Sequence, residues 1–198
     1  MSSFAKELLL PDLAVTLLVA NSDENDEETT TLSKLQGEDE NKKAMVIDFW
    51  TTKCTRCPAA LEKLNDEACL AENADIVFVS CALSQGKDNY AMAADLVCDN
   101  GSFSELTHCF MDMETKETAK ATFGFASVPF YVVVDKRGVV LGMGEPKAVN
   151  YRSLIDNATA ATTSSIISCE NESASVGNKM TTIEAAAHAP TLVFDDDF

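Results

Sequence analysis

Histidine is almost missing from this chain: its 198 residues include two, His108 and His188. A structural zinc site takes four ligands, often from a second Cys-x-x-Cys or a pair of histidines. Neither is present, so a metal centre is disfavoured for any cysteine pair found here. Long apolar runs are missing too. None reaches the roughly 18 residues of a membrane-spanning helix, although 46% of the chain is apolar. Bases are scarce, with 15 Lys and Arg against 32 Asp and Glu, a net charge of −17. That balance argues against nucleic acid or an anionic membrane as a main partner.

The acidity is unevenly placed. Residues 21–40 carry eight acids and one Lys, and residues 155–198 carry seven acids and one Lys. Residues 41–154 are close to balanced, with 15 acids and 12 bases. The charge therefore belongs to an N-terminal loop and a C-terminal tail, where solvation of flexible segments accounts for it. At 198 residues the chain is long enough for one domain with a real core plus tails. The reading is an N-terminal extension over 1–11, a domain over 12–160, and a largely disordered acidic tail over 161–198.

Seven cysteines stand at 54, 57, 69, 81, 98, 109 and 169. An odd number, with five scattered singly, is not the disulfide framework of a small secreted domain. Cys69, Cys81, Cys98 and Cys109 lie among apolar residues and are expected to act as small core hydrophobes. A reducing, cytoplasmic compartment fits. Leu13 to Ala20 resembles the apolar part of a signal peptide. It is only eight residues long, follows Pro11-Asp12, and has Lys6 offset by Glu7, so a strand is the better reading.

Apolar patterning sets out the elements. Strands are expected at Ala14–Val19, Met45–Trp50, Ile76–Ala82, Thr107–Met111 and Phe130–Val134, with a short strand and helical turn at Thr30–Leu35. Helices are expected at Ala59–Ala71, Tyr90–Cys98, Glu114–Phe123 and Asn150–Ala160. Asp135-Lys136-Arg137-Gly138 is a hairpin turn into Val139–Gly144. This order gives an α/β fold: a central mixed β-sheet flanked by helices on both faces.

The chemistry gathers at Cys54-Thr55-Arg56-Cys57, between an apolar strand and a helix. Two thiols three positions apart there can close into a disulfide with little backbone movement. The first lies near a helix N-terminus, where unpaired N–H groups and the helix dipole stabilise a thiolate. Thiol–disulfide exchange is favoured over half a zinc site or an incidental pair.

Four further features converge. Asp48 interrupts the apolar run Met45–Trp50. Buried, its carboxyl is expected to have a raised pKa and to handle the proton of the second thiol; the alternative is a solvent-facing strand residue. Trp50, the only Trp, either packs the core or walls the site. Lys53 and Arg56 favour a Cys54 thiolate, or are merely solvated. Pro129 enters an apolar strand, where a trans Pro costs a ladder hydrogen bond. A cis Val128–Pro129 bond is expected, turning the Val128 backbone outward to pair with an extended substrate segment.

Val46-Ile47-Asp48-Phe49-Trp50, Cys54-Thr55-Arg56-Cys57, Val128-Pro129 and Gly144 together resemble the thioredoxin superfamily, over about residues 12–158. Cys57 and Pro129 are 72 positions apart, farther than in short thioredoxins. With the added material around 84–115, the chain looks like the larger branch of bacterial cytochrome-maturation thioredoxins, tryparedoxins and nucleoredoxins. The resemblance implies a thioredoxin-like fold, Cys54 as nucleophile, Cys57 as resolving thiol, Asp48 as buried proton-transfer acid and Pro129 as the cis proline. Trp50, Arg56, Val128 and Pro129 are the candidate substrate-binding residues. Lys53 stands where these proteins usually have a second Trp, Thr-Arg replaces Gly-Pro or Pro-Pro, and Glu62 replaces an interior helix proline.

The expected function is thiol–disulfide oxidoreductase, needing no metal or organic cofactor. Its partners would be disulfide-containing proteins and a reductase or small dithiol as electron donor, and a monomer is expected. The alternative is an interaction module docking partners through the tail ending Thr191-Leu192-Val193-Phe194-Asp195-Asp196-Asp197-Phe198; an ordinary solubilising tail is the plainer account of that segment.

Overall fold

A computed structural model describes residues 7–18, 28–37, 41–86, 89–98 and 103–170, with backbone only from 162 onward. The tail over 171–198, and with it the expected docking segment, lies outside the described residues. Among the described residues seven strands form one sheet. They are β1 (Ala14–Leu17), β2 (Thr29–Thr31), β3 (Ala44–Trp50), β4 (Ile76–Leu83), β5 (Thr107–Met111), β6 (Phe130–Asp135) and β7 (Val140–Gly144). Their spatial order is β2-β1-β5-β4-β3-β6-β7. β3 runs parallel to β4 and antiparallel to β6, so the sheet is mixed.

β3 lies near the middle and every one of its residues is buried. This explains its unbroken apolar run: a strand covered on both faces has no solvent side to alternate with. Met45, Ile47 and Phe49 face one core, with Leu32, Ala119 and Phe123. Ala44, Val46 and Trp50 face the other, with Leu61, Leu64, Ala93, Val97 and Ile155. Helices α1 (Leu32–Leu35) and α4 (Met113–Phe123) therefore cover one face. Helices α2 (Cys57–Ala68), α3 (Asn89–Val97) and α5 (Tyr151–Glu170) cover the other.

Local chemistry explains where the helices begin and stop. Pro58 sits in the first turn of α2, where a missing N–H costs nothing. Leu61 and Leu64, three apart, bury almost completely, contributing about 1.5–3 kcal/mol each by removal from water. α4 starts where the Asp112 carboxylate accepts from the Thr115 N–H at 2.7 Å, and ends at Gly124, left-handed at φ 70°.

Three expectations are corrected. α2 ends at Ala68, short of Ala71, leaving Leu70 44% exposed rather than on its apolar face. Cys69, just past that end, is exposed, so it is not a core hydrophobe; Cys81 and Cys109 are. α5 continues to Glu170, past Ala160. No Gly or Pro occurs between Tyr151 and Gly177, so nothing in the local sequence breaks a helix there.

One turn anchors the hairpin. Asp135 Oδ1 accepts from the N–H groups of Arg137 (2.8 Å) and Val139 (2.9 Å), and Oδ2 from Arg137 Nε at 2.8 Å. Gly138 takes φ 80°, a conformation that favours glycine. Asp135→Ala strips these acceptors, leaving a buried Val139 N–H unpaired. A loss of about 2–4 kcal/mol in unfolding free energy is expected, measured by urea denaturation.

Candidate active site

The chain leaves β3 at Trp50, turns through residues 51–56, and enters α2 at Cys57. The Cys54 N–H donates to the Thr51 carbonyl at 3.1 Å, and the Cys57 N–H to the Cys54 carbonyl at 3.3 Å. These turns bring the two Cα atoms to 5.4 Å, and Cys54 and Cys57 are joined as a disulfide. The two sulfurs are not equivalent. Cys54 is half-buried, whereas Cys57 is 0% exposed and packs in the core with Leu61. An incoming group can reach only the Cys54 side.

Facing Cys54 is the Val128–Pro129 segment, with a cis peptide bond and a buried Pro129. The Val128 carbonyl oxygen lies 3.6 Å from Cys54 Sγ, placed to accept from the thiol in the dithiol state. It also accepts from Arg56 Nη2 at 3.4 Å. The loop thus gathers Cys54, Arg56 and Val128 at one rim. Lys53 and Arg56 are both exposed.

Asp48 is wholly buried. Strand alternation puts it on the face of Val46 and Trp50, the same face against which α2 packs Cys57 and Leu61. Neither carboxylate oxygen has a hydrogen-bond partner. Burial pushes its pKa well above the usual carboxylate range. The Phe130 backbone N–H pulls the other way, but not from hydrogen-bonding geometry. A carboxylate whose proton affinity is raised by burial, on the sheet face that α2 covers with Cys57, is suited to taking up that thiol's proton.

Trp50 does not present a wall to the rim: it is 1% exposed, and its Nε1–H donates to Ser80 Oγ at 2.8 Å. Its link to the site runs through Ser80. In the sheet register Asp48 stands beside Ser80 on β4 and Tyr131 on β6, and Ser80 stands beside His108 on β5. These side chains share one face, so a row of polar groups crosses the sheet under α2 and α3. Tyr131 is shifted up from its ordinary phenol value, first by burial and then by Asp48 beside it. Ser80 and His108 were not among the residues singled out from sequence. A signal for Ser80 existed: it interrupts the apolar run Ile76–Ala82 much as Asp48 interrupts Met45–Trp50. Among the described residues no group of three or more His, Cys, Asp or Glu side chains is placed to hold a metal ion.

No family model and no curated protein sequence matches the chain. Solved structures do. The thioredoxin domain of a thiol-disulfide oxidoreductase from Bacteroides vulgatus superposes with TM-score 0.53 at 13% identity, covering 80% of this chain and 98% of that one. The pneumococcal exposed lipoprotein thioredoxin from Streptococcus pneumoniae gives TM-score 0.53 at 20% identity, covering 74% and 99%. A thiol:disulfide interchange protein from Bacteroides sp. gives 0.51 at 13%, covering 72% and 82%. At these identities the likeness concerns the fold: the mixed sheet with helices on both faces is thioredoxin-like.

Proposed function

We propose that this protein is a thiol–disulfide oxidoreductase that exchanges disulfides of protein substrates through Cys54 and Cys57. The observation that carries the reading is the asymmetric pair, an accessible Cys54 joined to a buried Cys57 on a strand–helix junction with an unpartnered buried carboxyl on the same face. The Cys54 thiolate attacks a substrate disulfide, forming a mixed disulfide and releasing one substrate thiolate. Cys57 then gives its proton to the Asp48 carboxylate, and its thiolate attacks Cys54 Sγ. The mixed bond breaks, the second substrate thiolate leaves and takes a proton, and two electrons have passed to the substrate. The protein is left as the disulfide, and a reductase or small dithiol restores the thiols. The Val128 carbonyl and the Arg56 guanidinium, at the Cys54 rim, receive the substrate backbone.

We place this activity in a reducing, cytoplasmic compartment, on the odd and scattered set of seven cysteines.

Substrate trapping tests the proposal. Cys57→Ser is expected to accumulate covalent adducts through Cys54 that dithiothreitol releases, and Cys54→Ser/Cys57→Ser to accumulate none. Absence of adducts, together with a wild-type pair that does not cycle in glutathione buffers, would overturn it.

A further inference from the structure

We propose that the C-terminal segment 191–198 docks on its own chain, in a basic-rimmed cavity between α5 and the β6–β7 hairpin. Phe194 fills the apolar part of the cavity, and Asp195, Asp196 and Asp197 meet its rim. The inference is independent of the exchange reaction, because the cavity lies at the end of the sheet away from Cys54.

The cavity holds about 230 Å³. Leu141 of β7, with Ile155 and Ala158 of α5, gives it apolar walls, and Lys43, Lys136 and Arg137 stand around it. The three bases come from two segments of the chain. Ala44 pairs with Asp135 in the sheet, and the Lys136 N–H donates to the Lys43 carbonyl at 3.0 Å, which brings the two segments together. Lys43 pairs with Asp75 at 3.0 Å and Arg137 with Asp135 at 2.8 Å, yet their side chains stay 54% and 55% exposed. Lys136 is exposed and makes no ion pair among the described residues. The lining thus carries three bases and one acid, on a chain whose net charge is −17.

An apolar cavity with a basic rim takes a ligand that is apolar at one point and acidic next to it. Segment 191–198 has that order: Leu192-Val193-Phe194, then Asp195-Asp196-Asp197. The other acidic stretches fit less well. Glu38-Asp39-Glu40, shortly before Lys43, has no apolar side chain beside it. Residues 19–27 connect β1 to β2, at the opposite edge of the sheet from β7. The tail is also attached on the right side, since it follows α5, whose Ala158 and Thr159 line the cavity. From Thr159 to Glu170 the helix advances about 17 Å. The 20 residues 171–190 reach about 65 Å at full extension, so the segment can return to the cavity with slack. On the same chain it meets the cavity at an effective concentration in the millimolar range. Ion pairs that are weak singly, together with one buried ring, then suffice to hold it. The cavity lies where β3 begins and Cys54 follows where β3 ends, about 20 Å along the strand, so docking leaves the Cys54 rim open.

Two measurements on the full oxidised chain test the docking. The first is amide ¹H–¹⁵N NMR of wild type against Phe194→Ser and against Asp195→Asn/Asp196→Asn/Asp197→Asn, changes that lie in the tail and not in the folded domain. Both variants are expected to shift the Lys136, Gly138 and Thr159 resonances and to leave those of Cys54 and Cys57 in place. Molar salt is expected to move the wild-type spectrum towards that of the triple variant by screening the rim pairs. The reciprocal variant, Lys136→Glu at an exposed turn position, is expected to shift the Phe194 and Phe198 resonances. The second measurement is zero-length carbodiimide cross-linking read by mass spectrometry. Links from Asp195, Asp196 or Asp197 to Lys136 are expected within the monomer and are lost in Phe194→Ser, while Lys63, an exposed base on α2, links little. Unmoved resonances, or equal linking to Lys136 and Lys63, would mark an ordinary solubilising tail and overturn the docking. Links between chains only, with shifts that vanish on dilution, would assign the segment to a second copy and overturn docking within one chain.

Discussion

Cys54→Ser is expected to abolish disulfide exchange, lowering the rate on the order of 10³-fold or more, while Cys57→Ser retains the first attack. The difference follows from access. Cys57 is 0% exposed beneath the first turn of α2, so its sulfur cannot meet a substrate disulfide even when reduced. Cys54 is half-buried at the rim beside Val128. A serine hydroxyl there stays protonated at neutral pH and forms no bond to sulfur that a second thiol can break. Stopped-flow with a disulfide-linked fluorogenic peptide separates the two variants: a full burst of one equivalent for Cys57→Ser and none for Cys54→Ser. Equal bursts would sink the assignment of roles. The stability readout is independent. Loop closure over four residues gives the disulfide about 2 kcal/mol, so Cys54→Ser should unfold like reduced wild type and below oxidised wild type.

Sequence showed more of this site along the chain than across it. Asp48, Cys54, Cys57 and the Val128–Pro129 bond each carry a local anomaly: a charge in an apolar strand, paired thiols at a helix start, a proline entering a strand. Each has a physical cost that a single segment reveals. The placements of Trp50, Ser80 and His108 depend on which strands are neighbours. β4 and β5 follow β3 in sequence, but their pairing and register are decided by packing of whole faces. Trp50 shows the consequence. Four positions before Cys54 it reads as either a wall or a core residue, and only the position of Ser80 opposite its indole N–H decides for the core. The helix ends differ for a related reason. α2 stops at Ala68, and the turn that follows leaves Leu70 44% exposed, an end that apolar spacing alone does not mark.

Asp48→Asn is expected to make the protein more stable and a poorer catalyst, and the stability gain should depend on pH with a definite sign. In the unfolded chain the carboxyl ionises in the usual carboxylate range. In the fold, burial holds it protonated to higher pH. Between those two values the folded state binds more protons than the unfolded one, so wild-type stability falls as pH rises, by about 1.4 kcal/mol per pH unit. The contribution of Asp48 is fully present below the unfolded value and is lost as pH rises through the folded value. Asparagine has no proton to lose there. The variant and wild type should therefore agree to within about 1 kcal/mol at acid pH, since a protonated Asp and an Asn bury similar polar groups. Above that they should separate, the gap growing until the folded carboxyl has ionised. Exchange moves the other way: without a carboxylate to take the Cys57 proton, resolution at neutral pH should slow about 10²-fold, and raising the pH should recover part of it by ionising Cys57 directly. Denaturation from pH 3 to 9 and single-turnover resolution over the same range read both limbs. A variant less stable than wild type throughout would mean that Asp48 is held by interactions worth more than its burial costs, which contradicts its two unpartnered oxygens. The two limbs share one cause: the burial that makes the ionised carboxyl expensive is what raises its affinity for the proton that Cys57 must give up.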